Sequence, residues 1–226
     1  NMETDQAFIK DMLGQIPPSN KRLRSMAALL AKRLKASPKD FWAWDNLAGL
    51  YFSDGFVLQS IAIYRKALKI KPDLPVVHLR IGIAYYRLAR LEAAIKELEK
   101  AVSIDPDLAM AHYYLGFAYY HKGDSDQSLH HFQRVTETSP ETRIVYYHMA
   151  EDYLQRRRFT EAIEVLEKLL KFCPSSATAW YKLGLAYLGV YKNTEAARAF
   201  RLALKCNPQD KRSESMLEMI TEVPGI

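Results

Sequence analysis

Histidine and cysteine are the residues here with the greatest capacity for chemistry, so their spacing is the first thing to weigh. His78 and His112 stand 34 residues apart, and two imidazoles at equivalent places in neighbouring units could share a transition-metal ion. A metal site needs further donors. His130 and His131 are consecutive on a helical stretch and so point to different faces, and His121 and His148 do not converge with them. The simpler expectation is that His78 and His112 pack as aromatic rings with one hydrogen bond each. Cys173 and Cys206 have no histidine partners at zinc spacing and are too few for a disulfide framework. They are expected to behave as small hydrophobes where helix ends pack, with a mild preference for a reducing compartment. HExxH, CxxC, GxSxG, the P-loop and GxGxxG are all absent from the chain. The expectation is a protein that is not an enzyme and carries no metal or cofactor.

Composition narrows the class. With 49% hydrophobic and 26% charged residues, the chain is neither a disordered tail nor a low-complexity polymer. Its 9 glycines are few for an all-β protein. No apolar run reaches the roughly 18 to 20 residues that span a bilayer, and no basic region followed by an apolar stretch marks a secretory signal. A cytoplasmic location is expected, although Asn1 before Met2 looks like a cloning remnant and leaves an upstream segment open. The net charge of +6 is the property of one stretch: Lys21, Arg22, Arg24, Lys32, Arg33 and Lys35 face no acid between them. The remaining 26 basic residues balance 26 acidic ones, whereas a nucleic-acid-binding array would spread its cations. No nucleic-acid partner is expected.

Pro38, Pro72, Pro106, Pro140, Pro174 and Pro208 recur every 34 residues. Counted from Phe41 as position 1, five units run 41–74, 75–108, 109–142, 143–176 and 177–210. Position 4 carries Trp44, His78, His112, Tyr146 and Trp180; position 7 carries Leu47, Ile81, Leu115, Met149 and Leu183. Position 8 is Ala48, Gly82, Gly116, Ala150 and Gly184, and position 11 is tyrosine throughout (Tyr51, Tyr85, Tyr119, Tyr153, Tyr187). Position 20 is always small (Ser60, Ala94, Ser128, Ala162, Ala196), and position 24 is large (Tyr64, Leu98, Phe132, Leu166, Phe200). Spacings of three, four and seven put positions 4, 7, 8 and 11 on one buried face of a helix A. Small residues at 8 and 20 are expected to let helix A and helix B approach, and the proline ends helix B.

The pattern W-x2-L-G-x2-Y…A-x3-F…P resembles the tetratricopeptide repeat (TPR) over about three quarters of the chain. The resemblance implies an all-α TPR solenoid, a right-handed superhelix of antiparallel helix pairs whose A helices line an inner groove. In that family positions 2, 5, 6, 9, 12 and 13 of helix A commonly face the groove. The resemblance thus nominates Leu79, Ile83, Tyr86, Tyr113, Phe117, Tyr120, Tyr147, Glu151 and Tyr181 as a peptide-binding surface, apolar and tyrosine-rich. The Lys and Asn clamp with which some members hold a chaperone carboxylate is missing, since Asp45, Gly49, Leu79 and Ile83 fill its places. Asn46, Arg80, His148 and Lys182 at position 6 offer scattered polar contacts. Glu151 could pair with a ligand cation, with Arg87 or with Lys182.

The ends depart from the frame. Residues 1–40 form an atypical half-repeat that keeps Leu13 and Gly14 in phase but places Pro17 and Pro18 where the tyrosine would stand. Its first helix must stop early, and Ser19 or Asn20 can cap a second, basic helix from about Lys21. That amphipathic helix could pack inward as a cap, lie on anionic lipid, or drive self-association. Residues 211–226 are expected to cap the other end, on a helix from about Gln209 to Glu222 with Met216, Leu217 and Ile220 on one side. Three functions follow: an adaptor binding an apolar or amphipathic peptide, a self-assembling homo-oligomeric coat or organelle scaffold of the kind magnetosome-associated family members suggest, and a targeting module of a larger enzyme.

Overall fold

The computed structural model describes residues 2–221, which divide into two compact units, one up to residue 124 and one from residue 125. The first holds α1 (Met2–Gly14), α2 (Lys21–Ala36), α3 (Phe41–Ser53), α4 (Val57–Ile70), α5 (Pro75–Arg87), α6 (Leu91–Ile104) and α7 (Ala109–Lys122). The second holds α8 (Ser125–Thr138), α9 (Arg143–Gln155), α10 (Phe159–Phe172), α11 (Ala177–Gly189), α12 (Asn193–Cys206) and α13 (Lys211–Thr221). Every helix A begins at position 1 and every helix B spans positions 17 to 30 of the 34-residue frame. The proline at position 32 therefore lies two residues past helix B, in the turn.

That turn is closed from the next helix. Trp44 Nε1 donates to the Pro38 carbonyl (2.9 Å), and Trp180 Nε1 to that of Pro174 (2.8 Å). His78 Nε2 and His112 Nε2 reach the Pro72 and Pro106 carbonyls at 3.1 and 2.8 Å. Histidine replaces tryptophan at position 4 because its Nε2–H lies where an indole N–H would. The packing face is as expected at positions 7 and 24, all buried. Position 8 meets position 20 as expected, with a Cβ on Gly82 placed 3.4 Å from the Ala94 carbonyl oxygen, but its tighter neighbour is the side chain at position 24. A Cβ on Gly82 would lie 2.6 Å from Leu98 Cγ, and one on Gly184 would lie 2.6 Å from Phe200 Cε1. The small residue clears the large side chain at position 24.

Helix A ends at a left-handed residue in every repeat, at position 15: Gly55 (φ 89°), Ala89 (56°), Gly123 (80°), Arg157 (58°) and Tyr191 (60°). The following N–H then turns back to the tyrosine carbonyl at position 11, as in Arg90 to Tyr85 (3.0 Å) and Lys192 to Tyr187 (2.9 Å). Three of the five pay the Cβ penalty of that conformation.

The tyrosines at position 11 are less uniformly buried than the pattern implies. Tyr51 and Tyr153 are buried, whereas Tyr85, Tyr119 and Tyr187 are half-buried. Each of the last four meets the residue twenty places earlier: Arg65 donates to Tyr85 (3.2 Å), Tyr119 donates to Glu99 (2.7 Å), Gln133 donates to Tyr153 (3.2 Å) and Tyr187 donates to Glu167 (2.8 Å). Tyr51 has Ala31 at that place, and its buried hydroxyl has no hydrogen-bond partner. Burial alone raises the Tyr51 hydroxyl to about 12.

The ends explain the irregular sequence. Asn20 caps α2, its side chain accepting from Leu23 N at 3.1 Å, and α1 stops at Gly14, ahead of the proline pair. Gly14 does not do the work of position 8, since nothing lies within 4 Å of a Cβ built on it. Instead α1 runs antiparallel along α4: Asp5 pairs with Lys66 (2.5 Å) and Gln15 accepts from Gln59 (3.0 Å). Phe8 tucks beneath the Lys66 ammonium, 6.1 Å from the Trp44 ring. At the other end, α13 buries Ile220 and packs Met216 and Leu217 against Phe200; Glu222 lies outside the described residues. The cysteines differ from expectation: Cys206 is exposed, and Cys173 is half-buried with Arg143 Nη1 3.4 Å from its sulfur.

Two stability outcomes follow. Ala89→Gly and Tyr191→Gly should each raise the unfolding free energy by about 0.5–1 kcal/mol, read as a higher urea midpoint; a lower midpoint for both would show that position 15 is not strained. Tyr51→Phe should cost nothing or stabilise, while Tyr119→Phe should lose about 1 kcal/mol with its bond to Glu99; equal losses would refute the orphan hydroxyl.

Candidate peptide-binding surface

In the first unit, the nominated residues come together on α5 and α7. The Tyr86 ring lies 5.5 Å from Tyr114 and 5.9 Å from His121. Tyr113 sits 4.8 Å from Phe117 and 5.4 Å from Tyr114, and Tyr120 sits 5.5 Å from His121. Successive positions 5, 9 and 12 on α7, and 9 and 12 on α5, fall on one helical face. Ile83, Tyr86, Tyr113 and Phe117 are half-buried, and Tyr120 is 42% exposed. Leu79 is 7% exposed and belongs to the core with Leu98 and Leu115, so it forms floor and not surface. Burial first, and then the neighbouring phenols, push the Tyr86 and Tyr113 hydroxyls above their ordinary range. They stay neutral donors near neutral pH.

In the second unit the nominated side chains are already engaged. Tyr147 shares its hydroxyl hydrogen bond with Ser176 Oγ (2.6 Å), the cap of α11. The Arg212 guanidinium of α13 lies 4.7 Å from the centre of the Tyr181 ring, and Phe200 lies 5.8 Å from it. Glu151 pairs with Lys182, the partner left open beside Arg87, which stacks on Phe52 at 4.7 Å. The Lys182 hydrogen bond, working against burial, holds the Glu151 carboxyl below its usual value. Arg80 is likewise committed to Asp45.

Some residues at groove positions named from the resemblance were not nominated. Tyr114, at position 6, joins the aromatic cluster, as does His121, at position 13. Position 2 exposes Trp42 (61%), Val76 (40%) and Met110 (49%) in the first unit, and Ile144 (46%) in the second. The signal was available: an apolar residue repeating at a position that a helix turns outward. The six basic residues Lys21, Arg22, Arg24, Lys32, Arg33 and Lys35 are all exposed, with Arg33 bonded to Asp40 at 2.5 Å.

His78 and His112 serve the fold. His78 Nδ1 lies 2.8 Å from Glu97 Oε2 while Nε2 faces the Pro72 carbonyl, so both ring nitrogens have an oxygen neighbour. His78 makes two such bonds, one more than expected. Glu97, 3% exposed, also receives Arg65 (3.4 Å) and Lys100 (3.6 Å). Burial pushes its carboxyl up, but His78, Lys100 and Arg65 together outweigh that and hold it below 4.5. Among the described residues, no group of three or more His, Cys, Asp or Glu is placed to hold a metal. No described helix is long and apolar enough to cross a membrane.

Sequence profiles of the TPR repeat match residues 90–123 and 150–190, and tetratricopeptide-repeat profiles match 109–142 and 177–210. Together they span half of the chain in the same frame as the helices. The chain belongs to the tetratricopeptide-repeat family. Its fold is the all-α TPR solenoid, an architecture of protein–protein interaction scaffolds. It is similar to the crystal structure of MamA, at 26% identity and a TM-score of 0.65 over 76% of this chain and 94% of that one. YrrB, described as a TPR protein with an unusual peptide-binding site, superposes with a TM-score of 0.70 at 18% identity over 84% of this chain and 97% of its own. MamA from Desulfovibrio magneticus RS-1 gives 0.62 at 18% over 75% and 97%. Comparison with curated protein sequences returns no match.

Glu97→Gln should destabilise the TPR chain by about 3 kcal/mol at neutral pH, because it removes the buried carboxylate on which His78, Arg65 and Lys100 converge. Glu97 has a depressed folded pKa, so its contribution is complete above 4.5 and is lost as pH falls through the lower folded value. The gap between wild type and variant in urea unfolding should therefore close below pH 4.5; a gap constant to pH 3 would contradict the pairing.

Proposed function

We propose that this TPR chain is a non-enzymatic adaptor that captures an apolar or amphipathic peptide of a partner protein on the aromatic surface of α5 and α7. The observation that carries this reading is the cluster of Tyr86, Tyr113, Tyr114, Phe117 and Tyr120 on two adjacent A helices. Aromatic rings offer large contact area for few rotatable bonds, and each phenol adds one polar handle. An extended peptide or one face of a helix suits such a surface. Ile83 and the floor residue Leu79 continue it. Charged side chains enter little into that cluster, so affinity should come from burial and change little with salt.

Glu151, Tyr147 and Tyr181 play a second part in the proposal. Their internal pairs with Lys182, Ser176 and Arg212 would have to open for a ligand to use them, so they contribute selectivity before affinity.

The test is selection of a random peptide library on the immobilised full chain. Selected peptides should share apolar residues at fixed spacing, and the double variant Tyr113→Ala, Phe117→Ala should weaken them at least tenfold while far-UV circular dichroism stays unchanged. Equal binding by the variant would remove the α5–α7 surface from the account, and loss of helicity would reassign the two residues to the core.

A further inference from the structure

Consecutive A helices touch through position 6. Arg80 reaches back to Asp45 on α3 and Tyr114 to Tyr86 on α5; in the second unit Lys182 reaches back to Glu151 on α9. Position 6 of α3 is Asn46, and it is exposed. The reason lies at the start of the chain. α1, which should have been the preceding helix A, lies along α4, held there by the Asp5–Lys66 and Gln15–Gln59 pairs. The flank of α3 that a preceding helix A would cover is left as a hollow of about 530 Å³, lined by Met26, Leu29 and Leu30 of α2 with Asn46, Gly49 and Leu50 of α3.

The hollow is apolar where α2 faces α3, and the Asp45–Arg80 ion pair closes one side of it. Arg22, Met26, Leu29 and Arg33 follow one another at spacings of four, three and four, so they share a face of α2. Met26 is 41% exposed and Leu29 71%, an unusual pairing of leucine with solvent in a helix that otherwise buries Leu23 and Leu34. The helix has six cations and no acid. Met26 occupies position 20, where each regular repeat has Ser or Ala. A helix docked here packs at ordinary side-chain distance, about 8–10 Å between axes, instead of approaching the α2 backbone closely.

We propose that this flank of α2 and α3 is a docking site for an acidic amphipathic helix of a partner protein, which takes the place of the missing helix A. Its apolar stripe covers Met26, Leu29 and Leu50, and carboxylates flanking the stripe meet Arg22 and, in exchange for its present partner Asp40, Arg33. Charge complementarity selects the occupant: a basic or neutral helix would bring no carboxylate to a helix that carries six cations and no acid. The site is separate from the aromatic surface of α5 and α7 and does not depend on it.

The experiment is fluorescence anisotropy of the full chain with a labelled, designed helical peptide that has leucines on one stripe and glutamates beside it. Two controls accompany it: a scrambled peptide of the same composition and a version with lysine for glutamate. The designed peptide should bind at least tenfold tighter than either. Leu29→Asp, at an exposed position, should weaken it at least tenfold with unchanged circular dichroism, and Arg22→Glu severalfold. Tyr113→Ala with Phe117→Ala should leave this affinity as it was. Equal binding of the scrambled peptide would reduce the effect to bulk charge and overturn the proposal. So would indifference to Leu29→Asp, or loss in the Tyr113, Phe117 variant. Light scattering that shows a dimer abolished by Leu29→Asp would make a second copy the occupant and overturn it equally.

Discussion

A helix that ends in a proline-containing turn leaves carbonyls without partners, and this chain answers one of them with a ring N–H from the next helix. Trp44, His78, His112 and Trp180 each donate to the carbonyl six residues earlier. The bond joins the end of one repeat to the start of the next, so it constrains the angle at which helix A leaves the turn as well as satisfying the turn's acceptor. Four of the five 34-residue units make it; the fourth has Tyr146, which carries no ring N–H, at that place. The bond also explains why imidazole is acceptable beside indole.

With the junction fixed, the same neighbours meet in repeat after repeat. The tyrosine at position 11 finds the residue twenty places back, the small residue at position 8 clears the bulk at position 24, and position 6 leans on the previous helix A. Each rule is a local contact, so each can fail alone. Where Ala31 supplies no polar atom, Tyr51 keeps an unpaired hydroxyl. Where α1 leaves the row, Asn46 and Leu29 meet solvent.

This division also decides what could be read in the sequence. The helices, their frame and the buried positions were legible because proline phase and apolar spacing report directly on backbone geometry and burial. The cap on α2 was legible because Asn20 follows two prolines. The fate of Gly14 was not: it matches position 8 in phase, but a match in phase cannot show that α1 has crossed to α4, which depends on Asp5, Phe8 and Gln15 finding partners more than forty residues away. Pairings such as Glu151 with Lys182, and Arg80 with Asp45, were equally hidden, since several cations lay within reach of each acid. The aromatic cluster was half legible. Tyr113, Phe117 and Tyr120 followed from helix position; Tyr114 holds a groove position too, but its contact with Tyr86 depends on the distance between α5 and α7.

The central claim is that the ring N–H at position 4 is held by the proline carbonyl, and the three tryptophans test it in the unaltered protein. Hydrogen exchange of the indole N–H protons, followed by NMR, should show Trp44 and Trp180 strongly protected, and Trp42, which is 61% exposed, exchanging near the rate of a free indole. Exchange of Trp44 and Trp180 as fast as Trp42 would contradict the account.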